Sequence, residues 1–327
     1  MGAIEIVACT DHRFIMPTGV MMYSVCRNNI DLEVCFHVIV DESVTEEDEE
    51  DLKEAVKGHA VSFYSVDSHV FSLLPLLGSI PLVTYYRLLI PQVLPEGIPK
   101  VLFLDGDIIV RHSLLPLWET DIDEYAIAAV PDPCESVIGV YNRLKYSPDL
   151  GYFNAGVLLI NLNYWRTYNI SSEIELFIKD HVDRILYCDQ DVLNYVLREK
   201  KKTLPLKYNV QSGFLWVLEK VGYNYWKYEQ EVLDARRDPV ILHYTLGKPW
   251  FVGSSHPYRS TFMKYQNETK WEGQVWDKSK GQKRPFWVKV LSHSYDLFER
   301  LLIKVKLIKE PLTPKDTKFF LDLPPID

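Results

Sequence analysis

Lys100-Val-Leu-Phe-Leu-Asp105-Gly106-Asp107-Ile-Ile-Val110 is the stretch that decides how this chain folds. Four apolar residues in a row, bounded by Lys100 and Asp105, predict a strand buried on both faces. Strands of that kind build open α/β sheets, where ligands gather beyond the carboxyl ends of the strands. This one delivers two carboxylates to that end. On extended chain, residues two apart face the same side, so Asp105 and Asp107 converge on one ion. Gly106 between them allows a close backbone approach or a bend. Hard oxygen ligands suit Mg²⁺ or Mn²⁺, which bridge phosphate oxygens.

Working outward, the chain alternates strands with helices. Residues 4–9, 34–40 and 61–64 are apolar runs of strand length, and 19–26 and 45–57 have helical spacing. Ser43 and Thr45 are the cap candidates for the second helix. A short helix is expected at 84–90, strands at 126–130, 156–160 and 240–243, and helices at 171–184 and 189–198. This rhythm predicts an α/β fold, a mostly parallel sheet with helices on both faces. It fades after Pro257, which divides the chain into a catalytic domain at 1–256 and a tail at 257–327.

Composition narrows the function. With 47% hydrophobic and 25% charged residues the chain suits a well-buried globular protein, and a net charge of −9 argues against nucleic acid as a partner. Cys9, Cys26, Cys35, Cys134 and Cys188 are odd in number and without CxxC spacing. They read as free thiols, Cys9 and Cys35 as small buried hydrophobes. With no leader-like opening and no apolar run long enough for a membrane helix, a cytoplasmic location is expected. Residues 278–310 carry nine Lys/Arg against three Asp/Glu. From Trp287, an apolar series continues through Leu291, Phe298, Leu301, Val305 and Ile308 at helical spacing. A basic amphipathic helix over 287–309 would lie on an anionic membrane, here the inner face of the cytoplasmic membrane.

Three further groups carry chemistry. His243 ends the last strand, where an imidazole completes a metal site, and Gly247 and Lys248 follow within reach of phosphates. Asp189-Gln190-Asp191 opens a helix. The helix dipole accounts for its two acids but not for Gln190. Asn154 precedes the strand at 156–160, and Arg87 offers a partner for phosphate or sugar oxygens. Cleaving a sugar–phosphate bond needs such a set, because a divalent ion and Lys stabilise the charge that grows on the departing diphosphate.

These pieces, in this order, resemble the family 8 retaining glycosyltransferases, the group of the bacterial lipopolysaccharide galactosyl- and glucosyltransferases and glycogenin. The likeness runs over residues 4–252 through the blocks at 6–11, Thr84-Tyr-Tyr-Arg87-Leu, 101–110, 152–162, 188–193 and 243–250. It implies a GT-A fold, a Rossmann-like nucleotide half with a mixed central sheet and a mostly helical C-terminal tail. It also implies Mn²⁺ (or Mg²⁺) and a UDP-sugar, from which galactose or glucose passes to lipopolysaccharide or another surface glycan. By position, Asp105, Asp107 and His243 are the metal ligands, and Gly247 and Lys248 grip the diphosphate. Arg87, Asp132, Asn154, Asp189 and Gln190 fall in the donor-sugar pocket, with Gln190 beneath the anomeric carbon. Ala8, Thr10, Asp11, Arg13 and Gly106 complete the donor set. Thr10-Asp11-His12-Arg13 departs from the usual Asp-Asp-Asn-Tyr, so Arg13 takes the stacking position of that Tyr. Ser79 stands where the lipopolysaccharide galactosyltransferases have a His. The alternatives are a haloacid-dehalogenase-like phosphatase and a non-catalytic nucleotide-sugar-binding protein. Such phosphatases place Thr or Val four residues after the first Asp, and Ile109 stands there.

Overall fold

The computed structural model describes residues 2–71, 74–76, 81–133, 139–216, 229–254 and 256–277. Ser79, Cys134 and the basic segment 287–309 lie outside them. The chain opens with β1 (Ile4–Thr10), β2 (Val34–Val40) and β3 (Ala60–Ser65). After the 3₁₀ segment Leu82–Leu89 come β4 (Lys100–Leu104) and β5 (Ile108–Val110), then β6 (Ile127–Pro131) and β7 (Phe153–Asn161). The short strands β8 (Lys201–Thr203), β9 (Val210–Gln211) and β10 (Ile241–His243) follow.

The main sheet has the order β3-β2-β1-β4-β7-β6-β8. β1 to β4 pair in parallel, but β7 runs antiparallel to both β4 and β6. The central sheet is therefore mixed, with its parallel part confined to one half and the β6/β8 edge. Both faces are buried, and alternation divides them cleanly. Ile4, Ile6 and Ala8 of β1 enter one apolar cluster, and Val7 and Cys9 enter the other. Each fully buried aliphatic side chain of this kind contributes about 1.5–3 kcal/mol. Cys9 is buried as expected. Cys35 is only partly so, and Cys9, Cys26, Cys35 and Cys188 are all free thiols.

Helix Ile15–Asn28 covers one face, burying ten residues from Ile15 to Val25. Helix Glu46–Ala55 begins with a reciprocal cap. Thr45 accepts the Asp48 N–H at 3.2 Å while the Asp48 carboxylate accepts the Thr45 N–H at 2.8 Å. Residues beyond 256 share the same core, to which Tyr258, Phe262 and Trp271 contribute. A Cβ on Gly19 would meet the Trp271 ring at 2.1 Å, so the helix backbone itself lies against that indole.

One local expectation is corrected. The chain leaves β4 at Leu104, turns through Asp105-Gly106-Asp107, and enters a second sheet, ordered β5-β10-β9. The two carboxylates converge because the chain turns a corner between two sheets, not because of the pleat of one continuous strand. Gly106 is required at that corner, since a Cβ there would sit 2.5 Å from Thr18 Oγ1.

Candidate active site

The corner places Asp105 at the end of β4 and Asp107 just before β5, while antiparallel pairing sets His243 of β10 opposite Ile108. One ligand atom from each of Asp105, Asp107 and His243 lies within 4.8 Å of the others. His243 Nε2 is 3.3 Å from Asp107 Oδ1 and 3.6 Å from Asp105 Oδ2. Gly156 makes room for this. Its carbonyl accepts the Asp105 N–H at 2.9 Å, and a Cβ there would stand 2.2 Å from His243 Cε1 and 2.6 Å from Asp105 Oδ2.

The tautomer of His243 follows from its neighbours. Asn154 Oδ1 accepts the Gly156 N–H at 3.0 Å, and its amide nitrogen donates to Asp132 Oδ2 at 3.2 Å, which fixes which end of the amide is which. Asn209 donates its Nδ2 to Asn154 Oδ1 at 2.9 Å, leaving its own oxygen to accept from His243 Nδ1 at 2.9 Å. Nδ1 therefore carries a hydrogen, which leaves Nε2 as the ring atom that faces the two carboxylates. Two carboxylates and an imidazole with Nε2 so oriented form a fitting donor set for a divalent cation.

Each acid also has a cationic neighbour. Lys248 Nζ contacts Asp107 Oδ2 and donates to the Tyr244 carbonyl at 2.7 Å. It is brought there by Gly247, whose φ of 63° lies in the left-handed region open to glycine. Burial works against the Asp107 carboxylate, but Lys248 and His243 hold it below the usual carboxylate range. The buried Arg87 donates to Asp105 Oδ1 at 2.8 Å, to Asp189 Oδ2 at 3.0 Å and to the Ala155 carbonyl at 2.5 Å. Its guanidinium lies 4.4 Å over the Phe103 ring. Asp189 is pushed up to about 7, by burial first, with Arg87 opposing and the Asp105 charge adding.

Gln190 faces this cluster from helix Cys188–Leu197. Its Oε1 accepts the Ala155 N–H at 3.1 Å and Asn154 Nδ2 at 3.2 Å, and its Nε2 donates to Asp132 Oδ2 at 3.0 Å. The helix starts on Cys188 at φ 48°, an unusual conformation for a residue with a Cβ. Asp191 stabilises that turn. It is fully buried and accepts the Leu186 and Tyr187 N–H groups at 2.7 and 2.6 Å, Tyr152 Oη at 2.9 Å, and Arg143 in a two-pronged contact at 2.5 and 3.0 Å.

Nine expected residues thus form one hydrogen-bonded and ion-paired group: Asp105, Asp107, His243, Lys248, Arg87, Asp189, Gln190, Asn154 and Asp132. Ala8, Thr10, Asp11 and Arg13 stand apart from it, where β1 ends beside β4. Thr10 Oγ1 accepts from Thr18 at 3.1 Å, Asp11 caps the turn His12–Phe14 through the Phe14 N–H at 3.0 Å, and Arg13 is exposed. Sequence reasoning missed Asn209, which lies in an irregular stretch with no periodic signal, and read Asp191 only through the helix dipole.

A family model described as Glycosyl transferase family 8 matches residues 5–252. The chain belongs to glycosyl transferase family 8. Among the similar proteins of this family 8 chain is general stress protein A of Bacillus subtilis (strain 168), 30% identical over 278 residues, covering 82% of this chain and 94% of that protein. The lipopolysaccharide 1,3-galactosyltransferase of Salmonella typhimurium is 30% identical over 272 residues, covering 80% and 77%. A crystal structure of the galactosyltransferase LgtC with donor and acceptor sugar analogs superposes with a TM-score of 0.74 at 26% identity, covering 82% of this chain and 96% of that one. The chain is a glycosyltransferase of GT-A fold. Neither the phosphatase nor the non-catalytic alternative draws support from these relatives. Among the described residues, no helix is long and apolar enough to cross a membrane.

Proposed function

We propose that this family 8 chain transfers a hexose, galactose or glucose, from a UDP-sugar to a glycan acceptor with retention at the anomeric carbon. Asp105, Asp107 and His243 would hold Mn²⁺ or Mg²⁺. When bound, the cation supplies Lewis-acid stabilisation of the charge that develops on the diphosphate. The observation that carries the proposal is the connection of that triad to Gln190 through Asn209 and Asn154. Metal ligand and sugar-facing amide are parts of one oriented network.

The chain's own groups divide the work. Lys248 and the Gly247 turn take diphosphate charge, and Arg87 fixes Asp105 and Asp189 relative to each other. Asp189 and Asp132 offer acceptors to sugar hydroxyls, and Asn154, in the same pocket, orients Asp132 and Gln190 with its two amide hydrogens. Ala8, Thr10, Asp11 and Gly106 line the nucleotide end, with Arg13 stacking on the base. Gln190 is an amide, a poor nucleophile, and its oxygen already accepts two hydrogen bonds. A front-face displacement fits this better than a covalent intermediate, with the Gln190 carbonyl dipole stabilising oxocarbenium-like charge.

Relatives named for lipopolysaccharide galactosyl and glucosyl transfer support lipopolysaccharide, or another surface polysaccharide, as the acceptor. The catalytic domain at 1–256 would work in the cytoplasm, with the basic tail at 287–309 resting on the inner face of the membrane. Incubating the chain with Mn²⁺ and UDP-galactose or UDP-glucose, and following the released or transferred sugar by proton NMR, tests the reaction. The α-anomer as first product from one donor supports the proposal. The β-anomer, or no turnover of either donor, contradicts it.

A further inference from the structure

Arg111 follows β5, four residues beyond Asp107 and so about 13 Å away along extended chain. It borders a second cavity, of about 350 Å³, at the opposite end of that strand from the metal ligands. The cavity is walled by Arg111, His112 and Asn28 on one side. Helix Arg259–Gln266 supplies the other, with Ser260, Thr261, Lys264 and Tyr265. No carboxylate lines it, in a chain whose net charge is −9.

Arg111 and Tyr265 have donor capacity to spare in this cavity. The Arg111 side chain is 11% exposed, yet its contacts are the Pro239 carbonyl at 3.5 Å and Asp238 at 3.9 Å, both at the edge of useful range. Asp238 itself is largely exposed and closer to His112, at 2.6 Å. The Tyr265 hydroxyl accepts from Asn28 at 2.9 Å, which leaves its own hydrogen to donate. Helix Arg259–Gln266 begins without a side-chain cap on its first-turn N–H groups, and its positive end adds to the same field. A largely covered guanidinium whose contacts are long favours a ligand that supplies closer oxygens.

We propose that this cavity is an anion site, separate from the donor site, that takes a phosphate group between Arg111 and Lys264, with the Ser260, Thr261 and Tyr265 hydroxyls completing its shell. A phosphate offers three or four acceptor oxygens to these donors, and Arg111 can hold two of them in its fork. Such a group comes from a soluble phosphate ester or from a lipid headgroup, and the chemistry of the cavity suits both.

The test uses the full-length chain with EDTA present. Inorganic phosphate is titrated calorimetrically at constant ionic strength into wild type, Arg111→Gln, Lys264→Gln and Lys179→Gln. Lys179 is exposed on helix Ile170–His181, far from this cavity in sequence, and serves as the control. Saturable binding that weakens about tenfold in Arg111→Gln and Lys264→Gln, but not in Lys179→Gln, supports the site. Lys264 is exposed, so its replacement keeps the test valid even where Arg111→Gln fails to fold. Sedimentation with phosphatidylglycerol vesicles then separates the sources. Binding that falls in Lys264→Gln assigns the site to a lipid headgroup, and binding that stays the same assigns it to a soluble phosphate. Absence of phosphate binding in wild type, or equal binding by wild type and Lys264→Gln, overturns the proposal.

Discussion

The two walls of the active-site cleft are built on different physics. One wall is charged: Asp105, Asp107 and His243 with Lys248 and Arg87, where each carboxylate lies against a cation. The other is made mainly of amides: Asn154, Gln190 and Asn209 around the single carboxylate of Asp132, each held by two or more directed hydrogen bonds. The charged wall acts through the sign of its groups, which survives small shifts. The amide wall acts through direction, because a reversed amide presents a donor where an acceptor is needed. Removing a charge should therefore abolish binding, whereas removing an amide should weaken a step without abolishing it.

Three substitutions or conditions press on that contrast, from the largest effect to the smallest. Replacing Gln190 with Ala removes the dipole beneath the sugar, and kcat should fall by roughly 100-fold while donor Kd changes little. Complete loss of turnover with donor binding intact would instead point to a covalent role. Asn209→Leu removes the group that sets the His243 tautomer. Metal affinity, measured by Mn²⁺ titration under electron paramagnetic resonance, should weaken roughly 10–100-fold. An unchanged affinity would mean that orientation by the amide wall does not reach the charged one.

The smallest effect on activity concerns His256, whose ring bonds Ser212 at 3.2 Å, while Ser212 in turn bonds Leu246 at 3.1 Å in the turn that carries Lys248. Burial, and next the Lys248 charge, lower His256 to about 4 from its ordinary 6.5. Between those values the unfolded chain binds a proton that the folded ring does not. The contribution of His256 to stability is therefore full above about pH 6.5 and falls as the pH drops towards 4, by about 3 kcal/mol in all. Asp189, raised to about 7, works in the opposite sense over the same window. The His256 slope is therefore read as the difference between denaturant melts of wild type and His256→Gln, which should shrink as the pH falls from 6.5 to 4.

Much of this was legible in the sequence because the signals were local. The apolar run 34–40 became β2 with no change of bounds, and Thr45 caps its helix as expected. Asp105, Asp107 and His243 announced themselves by residue type at strand ends. What escaped depends on contacts distant in sequence. The mixed sheet was expected from the family resemblance alone, because the reversal of β7 within it is set by pairing and leaves no mark in the periodicity. The corner at Gly106 is set by Thr18 and Phe14, about 90 residues away in the chain. Asn209 looks like an ordinary loop asparagine until Asn154 and His243 are placed on either side of it. Asp191 shows the opposite failure, since a sufficient local reason hid its buried, multiply bonded role.

The most direct measurement is calorimetric binding of UDP to wild type and to Asp107→Ala, each with Mn²⁺ and with EDTA. The account predicts binding that requires Mn²⁺ in wild type and is lost in Asp107→Ala. Binding of equal strength in EDTA, or its retention by Asp107→Ala, would contradict the charged wall as the seat of the metal and the donor diphosphate.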